Sequence, residues 1–286
     1  MKRFSVLFIA IFMCVSVTAQ KHEIGVFLGG ANGITDVGRT DFINPLPKAY
    51  RSSGEPALPW AIGALYRFNL NPQQGLRLGL NYAQIIDNDK TASEDYRFAR
   101  GAKYAQRVFD FHLLFEYNFL PINSEQERGY SPYIFAGIGG FAYNHPTYVV
   151  THRARLDESG QPIAPSGPDD FESVIAKNNT TKFSYSIPFG AGFKYKFNYN
   201  WVASAEVSVR PTIIDNLDMA FSTPEDFTFV TEAGLEATPG ISDQIRIRND
   251  EMIMQRQLGD HSNNDWFVFT GFTLTYTFGR PPCFCD

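Results

Sequence analysis

Eight stretches of the chain sort their side chains with a period of two. Ile24, Val26 and Leu28 alternate with Gly25, Phe27 and Gly29 in the first, His22 to Ala31. In the second, Trp60, Ile62, Ala64, Tyr66 and Phe68 oppose Ala61, Gly63, Leu65, Arg67 and Asn69, and in the third Leu76, Leu78, Leu80 and Tyr82 oppose Arg77, Gly79 and Asn81. The contrast is sharpest in the fourth, where Phe109, Phe111, Leu113, Phe115 and Tyr117 face away from Asp110, His112, Leu114, Glu116 and Asn118. Tyr133, Phe135 and Phe141 share a face in Tyr133 to Tyr143, and Phe183, Tyr185, Ile187, Phe189, Phe193 and Tyr195 oppose Ser184, Ser186, Lys194 and Lys196. Trp201, Ala203, Ala205, Val207 and Val209 oppose Ser204, Glu206, Ser208 and Arg210, and the eighth stretch runs from Trp266 through Phe272, Leu274 and Tyr276 to Phe278. Residues i and i+2 share a face only in an extended chain, so the pattern predicts strands.

Most of these strands are longer than the roughly 5 to 6 residues usual in soluble domains and match the roughly 9 to 11 tilted residues that cross a bilayer. Trp60, Tyr82, Tyr117, Tyr133, Trp201, Trp266 and Phe278 lie near segment ends, where the aromatic girdles of a membrane barrel would sit. The links supply independent support: 26, 21, 38 and 50 residues alternate with 4, 11 and 3. Long outer loops, short inner turns and an even strand number describe an outer-membrane barrel with both termini periplasmic. The expected fold is therefore all-β, an eight-stranded antiparallel up-and-down transmembrane barrel with four long outer loops. A secreted sandwich or soluble barrel is the competing reading, but it would have no use for uniformly long, aromatic-rich strands. A short amphipathic helix is expected around Ile241 to Leu258 in the longest link.

The start of the chain supplies the route. Met1-Lys2-Arg3, the uncharged run Phe4 to Val17 and the small residues Val17-Thr18-Ala19 read as a signal peptide over 1–19, too short for a spanning helix. Ile11-Phe12-Met13 lacks the small residue a lipoprotein Cys14 would need before it. The mature barrel domain is then 20–286, with 279–286 a periplasmic tail. Across all 286 residues the net charge is -5, which gives no basic footprint for nucleic acid. The chain is 15% aromatic yet its mean hydropathy is only -0.21, a mixture that strands and polar links together explain.

If the aromatic faces look at lipid, Arg67, Arg77, Asp110, His112, Glu116, Lys194, Glu206 and Arg210 point into an eight-stranded interior just wide enough to be filled by side chains. Charges there must pair, so a structural ion-pair plug is the favoured reading. A sharper one is catalytic: Ser204 or Ser208 as nucleophile, His112 as base and Asp110 as orienter, as in a lipid-modifying barrel enzyme. Neither serine carries a local mark of activation. Asp87-Asn88-Asp89 with Glu94 and Asp95 imitates a calcium loop, but Ala92 replaces the glycine needed at its sixth position, which leaves a solvated outer loop. Gly137-Ile138-Gly139-Gly140 lies inside a strand and precedes no helix, unlike a phosphate-binding turn. The five histidines have no paired metal spacing, so neither metal nor cofactor is expected. Cys283 and Cys285 flank Phe284 in the tail; an intermolecular disulfide, a strained internal one and free thiols all remain open.

Several words in chain order resemble the PorG-like outer-membrane proteins of the Bacteroidetes type IX secretion system. These are Gly29-Gly30-Ala31-Asn32, Asp36-Val37-Gly38, Asn44-Pro45, Arg67-Phe68-Asn69, Phe115-Glu116-Tyr117-Asn118-Phe119, Tyr133 to Gly139, Pro188 to Gly192, Arg210-Pro211-Thr212 and Asn263-Asn264-Asp265-Trp266 running to Gly271. Asp-Val-Gly and Asn-Asn-Asp-Trp carry the most weight, while Asp215-Asn216-Leu217-Asp218 departs from the aromatic-containing pattern expected there. The resemblance implies a non-enzymatic secretion component in the outer membrane that anchors a periplasmic lipoprotein-containing ring. Gln20 to Glu23, Leu120 to Tyr130 and the Cys283 tail would be its contacts. A surface adhesin or other small outer-membrane barrel is the alternative, and a lipid-modifying enzyme a weaker one.

Overall fold

A computed structural model describes residues 22–39, 49–50, 56–123, 127–159, 161, 163, 171–232, 235, 240–257 and 263–278. The signal peptide, residues 20 and 21, and the tail with Cys283 and Cys285 lie outside the described residues. The protein is all-β and mostly antiparallel. Its strands are β1 (His22–Ile34), β2 (Ala49–Tyr50), β3 (Pro56–Ala57), β4 (Trp60–Asn69), β5 (Gln74–Asn88), β6 (Lys103–Asn118), β7 (Gly129–Ala154), β8 (Phe171–Ser186), β9 (Phe189–Lys196), β10 (Trp201–Pro211), β11 (Phe227–Thr231) and β12 (Trp266–Phe278). A helix spans Ile241–Met254, within the stretch the periodicity marked.

Strands β2 and β3 pair separately; the other ten form one sheet. Antiparallel pairing runs from β7 through β6, β5, β4, β1, β12 and β10 to β9, and β9 pairs back onto β7. The path of hydrogen bonds therefore closes and leaves no edge along it. Strand β8 continues the line of β9 along β7 after a break at Pro188, which has no N–H to give to a ladder. Strand β11 is the parallel exception, pairing with β7 at Tyr148 to His152 beyond the end of β6. The sixth predicted strand is thus two, and β11 is one the periodicity does not show.

Tight asparagine-based turns close one end of the sheet. Asn71 Oδ1 accepts from the amides of Gln73 and Gln74 at 2.9 and 2.8 Å, and Asn198 Oδ1 from those of Asn200 and Trp201 at 2.9 and 2.8 Å. Each side chain imitates the carbonyl of a backbone turn.

The two faces of the wall are sorted against the usual rule for water-soluble proteins. Ile24, Val26, Leu28, Leu78, Leu80, Phe111 and Leu113 point outward, 41 to 55% exposed, while Arg67, Asp110 and Glu116 on the opposite face are 0% exposed. Trp60 packs edge-on to Tyr82 at 5.6 Å and Trp201 to Tyr276 at 5.1 Å, so the predicted girdle residues Trp60, Tyr82 and Trp201 lie in outward aromatic pairs, with Tyr276 an added member. Strand β7 reverses one expectation. Tyr133, assigned to a girdle, is buried inside with Phe135 and Phe141, and Ile134 and Ile138 face out.

A second correction concerns the links, which do not simply hang outside. Leu217 and Ala220, from the longest one, enter the mouth and pack with Phe27, Phe141, Phe267 and Phe269. Strands β7 and β8 also continue past the wall as a ribbon, since β7 pairs with β8 out to Ala154 and Phe171.

Candidate functional site

Every charged residue predicted to face inward is buried there, in two connected groups. Glu116 on β6 is the node of the first. Its carboxylate lies 2.7 Å from Arg67 Nε, 3.1 Å from Arg77 Nε and 2.6 Å from Lys194 Nζ. Arg77 Nη1 reaches Glu206 at 2.6 Å, and Glu206 also accepts from the Tyr133 hydroxyl. Arg67 continues to Glu23, which accepts from Asn69 at 2.7 Å and Thr275 at 2.9 Å. Glu23, which the resemblance puts among the periplasmic contacts, is buried on the inward face, in period with Gly25.

The second group lies nearer the mouth. Asp110 pairs with Arg210 at 3.2 Å and His112 at 2.8 Å, and accepts from Asn81 at 3.0 Å. Four cations (Arg67, Arg77, Lys194, Arg210) thus meet four anions (Glu23, Asp110, Glu116, Glu206). Such pairing is the condition for holding charges away from water. It also accounts for the inward aromatics of β7. The Arg77 guanidinium lies 4.6 Å from the Phe135 ring centre, Lys194 Nζ 4.5 Å from that of Tyr133, and Arg210 4.2 Å from that of Phe269. The ring faces complete the surroundings of cations whose edges are already paired.

The geometry does not assemble the nucleophilic triad. His112 and Asp110 are adjacent, but Ser204 Oγ bonds Thr273 Oγ1 at 2.7 Å and Ser208 Oγ accepts from Arg210 at 2.7 Å. No bond joins either serine to His112 among the described residues. An interior void bordered by Arg77, His112, Glu206 and Arg210 measures about 10 Å³, room for about one water.

The mouth carries a polar latch. Gly38 adopts φ +95°, a left-handed conformation that suits glycine, and a Cβ there would meet the Asp87 side chain at 2.3 Å. Its amide donates to Asp89 at 2.8 Å and its carbonyl accepts from Arg97 at 3.0 Å. Asp89 also accepts from the Ala102 amide at 2.9 Å and from Arg100 Nε at 2.7 Å, while Arg100 Nη2 donates to the Asp36 carbonyl at 2.6 Å. The segment expected to be a solvated loop is therefore buried at Asp87 and Asp89. Their charges are answered by arginines, since Arg39 lies 3.5 Å from Asp87. Burial alone would raise the Asp89 carboxyl; the Arg100 bonds and the two amides hold it below its ordinary range instead.

The longest link joins the same latch. Asp218 accepts from the Val37 amide at 3.1 Å, and Asp265, immediately before β12, accepts from the Leu217 amide at 2.7 Å. Burial raises both carboxyls, Asp218 to about 6 with Asp36 adding to it, and Asp265 to about 9 with Asp218 adding to it. A carboxyl raised in the folded state favours the latch while protonated, so that support is complete below the ordinary carboxylate range and falls as pH rises from there, Asp218's part being lost by about 6 and Asp265's by about 9. Amide hydrogen exchange across 212–226, corrected for intrinsic rates, should accelerate between pH 6 and pH 9. Asp265→Asn keeps an acceptor for Leu217 without the charge and should flatten that dependence.

Asp36-Val37-Gly38 and Asn263 to Trp266, far apart in the chain, thus meet in one structure at the mouth. Residues 1–166 and 240–286 match the family described as a domain of unknown function, DUF6089. The chain belongs to the DUF6089 family. The match covers both latch segments and leaves out 167–239, which includes β8, β9 and β10. Among curated proteins none matches the sequence. Three solved structures are similar at low identity. Neisserial surface protein A is 10% identical with a TM-score of 0.40, covering 92% of this chain and 100% of that one. The N-terminal β-barrel domain of Pseudomonas aeruginosa OprF is 11% identical with a TM-score of 0.36, covering 91% and 100%. Ail, the attachment invasion locus protein of Yersinia pestis, is 8% identical with a TM-score of 0.37, covering 91% and 100%.

Proposed function

We propose that this DUF6089 protein is an eight-stranded outer-membrane barrel that serves as a non-enzymatic anchoring component of a type IX protein secretion machine. The eight walls are β1, β4, β5, β6, β7, the broken strand β8–β9, β10 and β12, with β11 above the membrane. The observation that carries the membrane reading is the inverted sorting of the wall, with apolar side chains out and a paired charge network in. Water would reverse that preference and lipid rewards it. The asparagine turns then face the periplasm with both termini, and the long links face out. The filled interior favours a structural role over conduction, because eight strands leave no aqueous channel.

The secretion role is supported by the resemblance of the latch words to PorG-like proteins. Ring docking falls to the periplasmic end. Leu120 and Tyr130 are exposed there, while Glu23 is engaged inside the barrel. Deleting the gene should stop export of type IX cargo, and the tagged protein should co-purify a lipoprotein-containing ring from solubilised outer membranes. His112→Ala should leave export intact. Normal export in the deletion strain would remove the secretion role while leaving the barrel in place. The adhesin reading draws on the ordered structure carried by the β7–β8 ribbon, and predicts that removing 215–264 abolishes surface binding without touching export.

A further inference from the structure

The longest link crosses the barrel mouth as a strap tied at both ends. At the first tie the Thr212 amide and hydroxyl donate to the Asp265 carbonyl at 3.2 and 2.7 Å, and the Asp265 amide donates to the Ile214 carbonyl at 2.8 Å. At the second the Ser222 amide donates to the Arg256 carbonyl at 3.2 Å, and Phe221 bridges to Gln257. Between the ties, Leu217 is 0% exposed in a chamber walled by Phe27, Val108, Phe141, Phe267 and Phe269. Among the described residues, the hydrogen bonds that hold Asn216 to Ala220 on the wall each run through a side chain. The Leu217 amide donates to Asp265 at 2.7 Å, its carbonyl accepts from Gln106 at 3.1 Å, and Asp218 accepts from the Val37 amide at 3.1 Å. The wall itself is joined by continuous backbone ladders, so strap and wall differ in how firmly they are held.

The seated strap breaks local rules in three ways. Met219 holds φ 61°, a left-handed conformation in which Cβ crowds the backbone, and among the described residues only glycines share a positive φ. Asn216 Oδ1, and Ser222 Oγ at the second tie, are buried without a hydrogen-bond partner among the described residues. The third is charge. Asp36 repels Asp218, and Asp218, Asp215 and Asp36 repel Asp265. Tyr104 on β6 faces the same carboxyls, and Arg100, the cation that faces Asp218, is already bonded to Asp89. Ionising Asp218 and Asp265 therefore loads the strap. Unseating it would give Met219 a relaxed backbone and bring Asn216 and the carboxylates to water, and costs of this kind collect in elements that switch. We infer that 215–220 is a gate, which swings out between its two ties while the wall stays closed and opens the aromatic chamber to the cell exterior. This goes beyond the anchoring role and does not depend on it.

The test uses the full mature protein in detergent micelles, with Cys283 and Cys285 replaced by serine and one reporter cysteine at a time read by its rate of maleimide labelling. Val108→Cys reports on the chamber, where Val108 is 0% exposed, and Ala31→Cys repeats the reading from β1. Ser204→Cys is the control, buried on the same inward side but nearer the periplasmic turn at Asn198. The chamber reporters should label at least about tenfold faster than the control, because local opening costs less than opening the wall. Leu217→Ala should speed chamber labelling by about tenfold or more, since the seat loses its buried side chain. Met219→Gly should slow it by about threefold, since glycine holds the left-handed conformation without the Cβ contact. Heat-dependent gel mobility checks that each barrel is folded. Equal labelling of chamber and control, chamber rates indifferent to both strap substitutions, or acceleration of chamber and control together by Leu217→Ala would each overturn the gate.

Discussion

Glu116→Ala should be the most damaging single substitution in the interior, with unfolding in urea shifted by about 3–5 kcal/mol, the cost of breaking a buried ion pair by removing one partner. Arg67, Arg77 and Lys194 all lean on this carboxylate, at 2.7, 3.1 and 2.6 Å. Without it, Glu23 and Glu206 are left to answer three buried cations. Glu116→Gln should recover little, because an amide keeps the shape but neither the charge nor the all-acceptor chemistry that three cationic donors require. The check is a pair of equilibrium unfolding curves in the same lipid or detergent, read by heat-dependent gel mobility. A shift below about 1 kcal/mol, the range typical of exposed pairs, would mean that the network is hydrated instead of sealed.

Leu113→Arg is the second large effect. Leu113 is paired across from Leu78 on β5 and Ile138 on β7, midway between the periplasmic turns and the Trp60–Tyr82 girdle, and its side chain points outward. In a bilayer an arginine at that depth should cost about 2–4 kcal/mol, whereas Tyr82→Arg near the girdle should cost only about 0–1 kcal/mol. The same Leu113 substitution on a water-facing surface would stay within about 0.5 kcal/mol. Depth dependence is therefore the informative part: folding yields into lipid vesicles should fall with distance from the girdle, and a flat profile would argue for a wall in water.

Much of the wall was legible because one face of each strand differs chemically from the other. Strands β4 and β12 fall within the bounds that alternation suggests, and the eight residues assigned inward, seven charged side chains and His112, are buried. Strand β7 was harder. Tyr133 and Phe135 alternate with Ile134 and Ala136, so both faces are apolar, and only the partners Arg77 and Lys194 on other strands decide that the aromatics turn in. The outer part of β8, Lys177-Asn178-Asn179-Thr180-Thr181, is wet on both faces and shows no period at all. The mouth was least visible. Asp89 meets Gly38 and Arg100, and Asp265 meets Leu217, through contacts that no local spacing encodes. One signal was available: Leu217 is a lone large apolar residue in the polar run Asp215 to Asp218, as a plug residue would be.

Collision of spin labels with oxygen and with a water-soluble nickel chelate tests the central claim, that the outward face meets lipid, most directly. With Cys283 and Cys285 replaced by serine, single labels at Leu78, Leu113, Lys177 and Glu225 can be read in reconstituted bilayers. The labels at Leu78 and Leu113 should collide with oxygen and scarcely with the chelate, while those at Lys177 and Glu225, exposed beyond the mouth, should show the reverse. Chelate reaching Leu113 as readily as Lys177 would contradict the account.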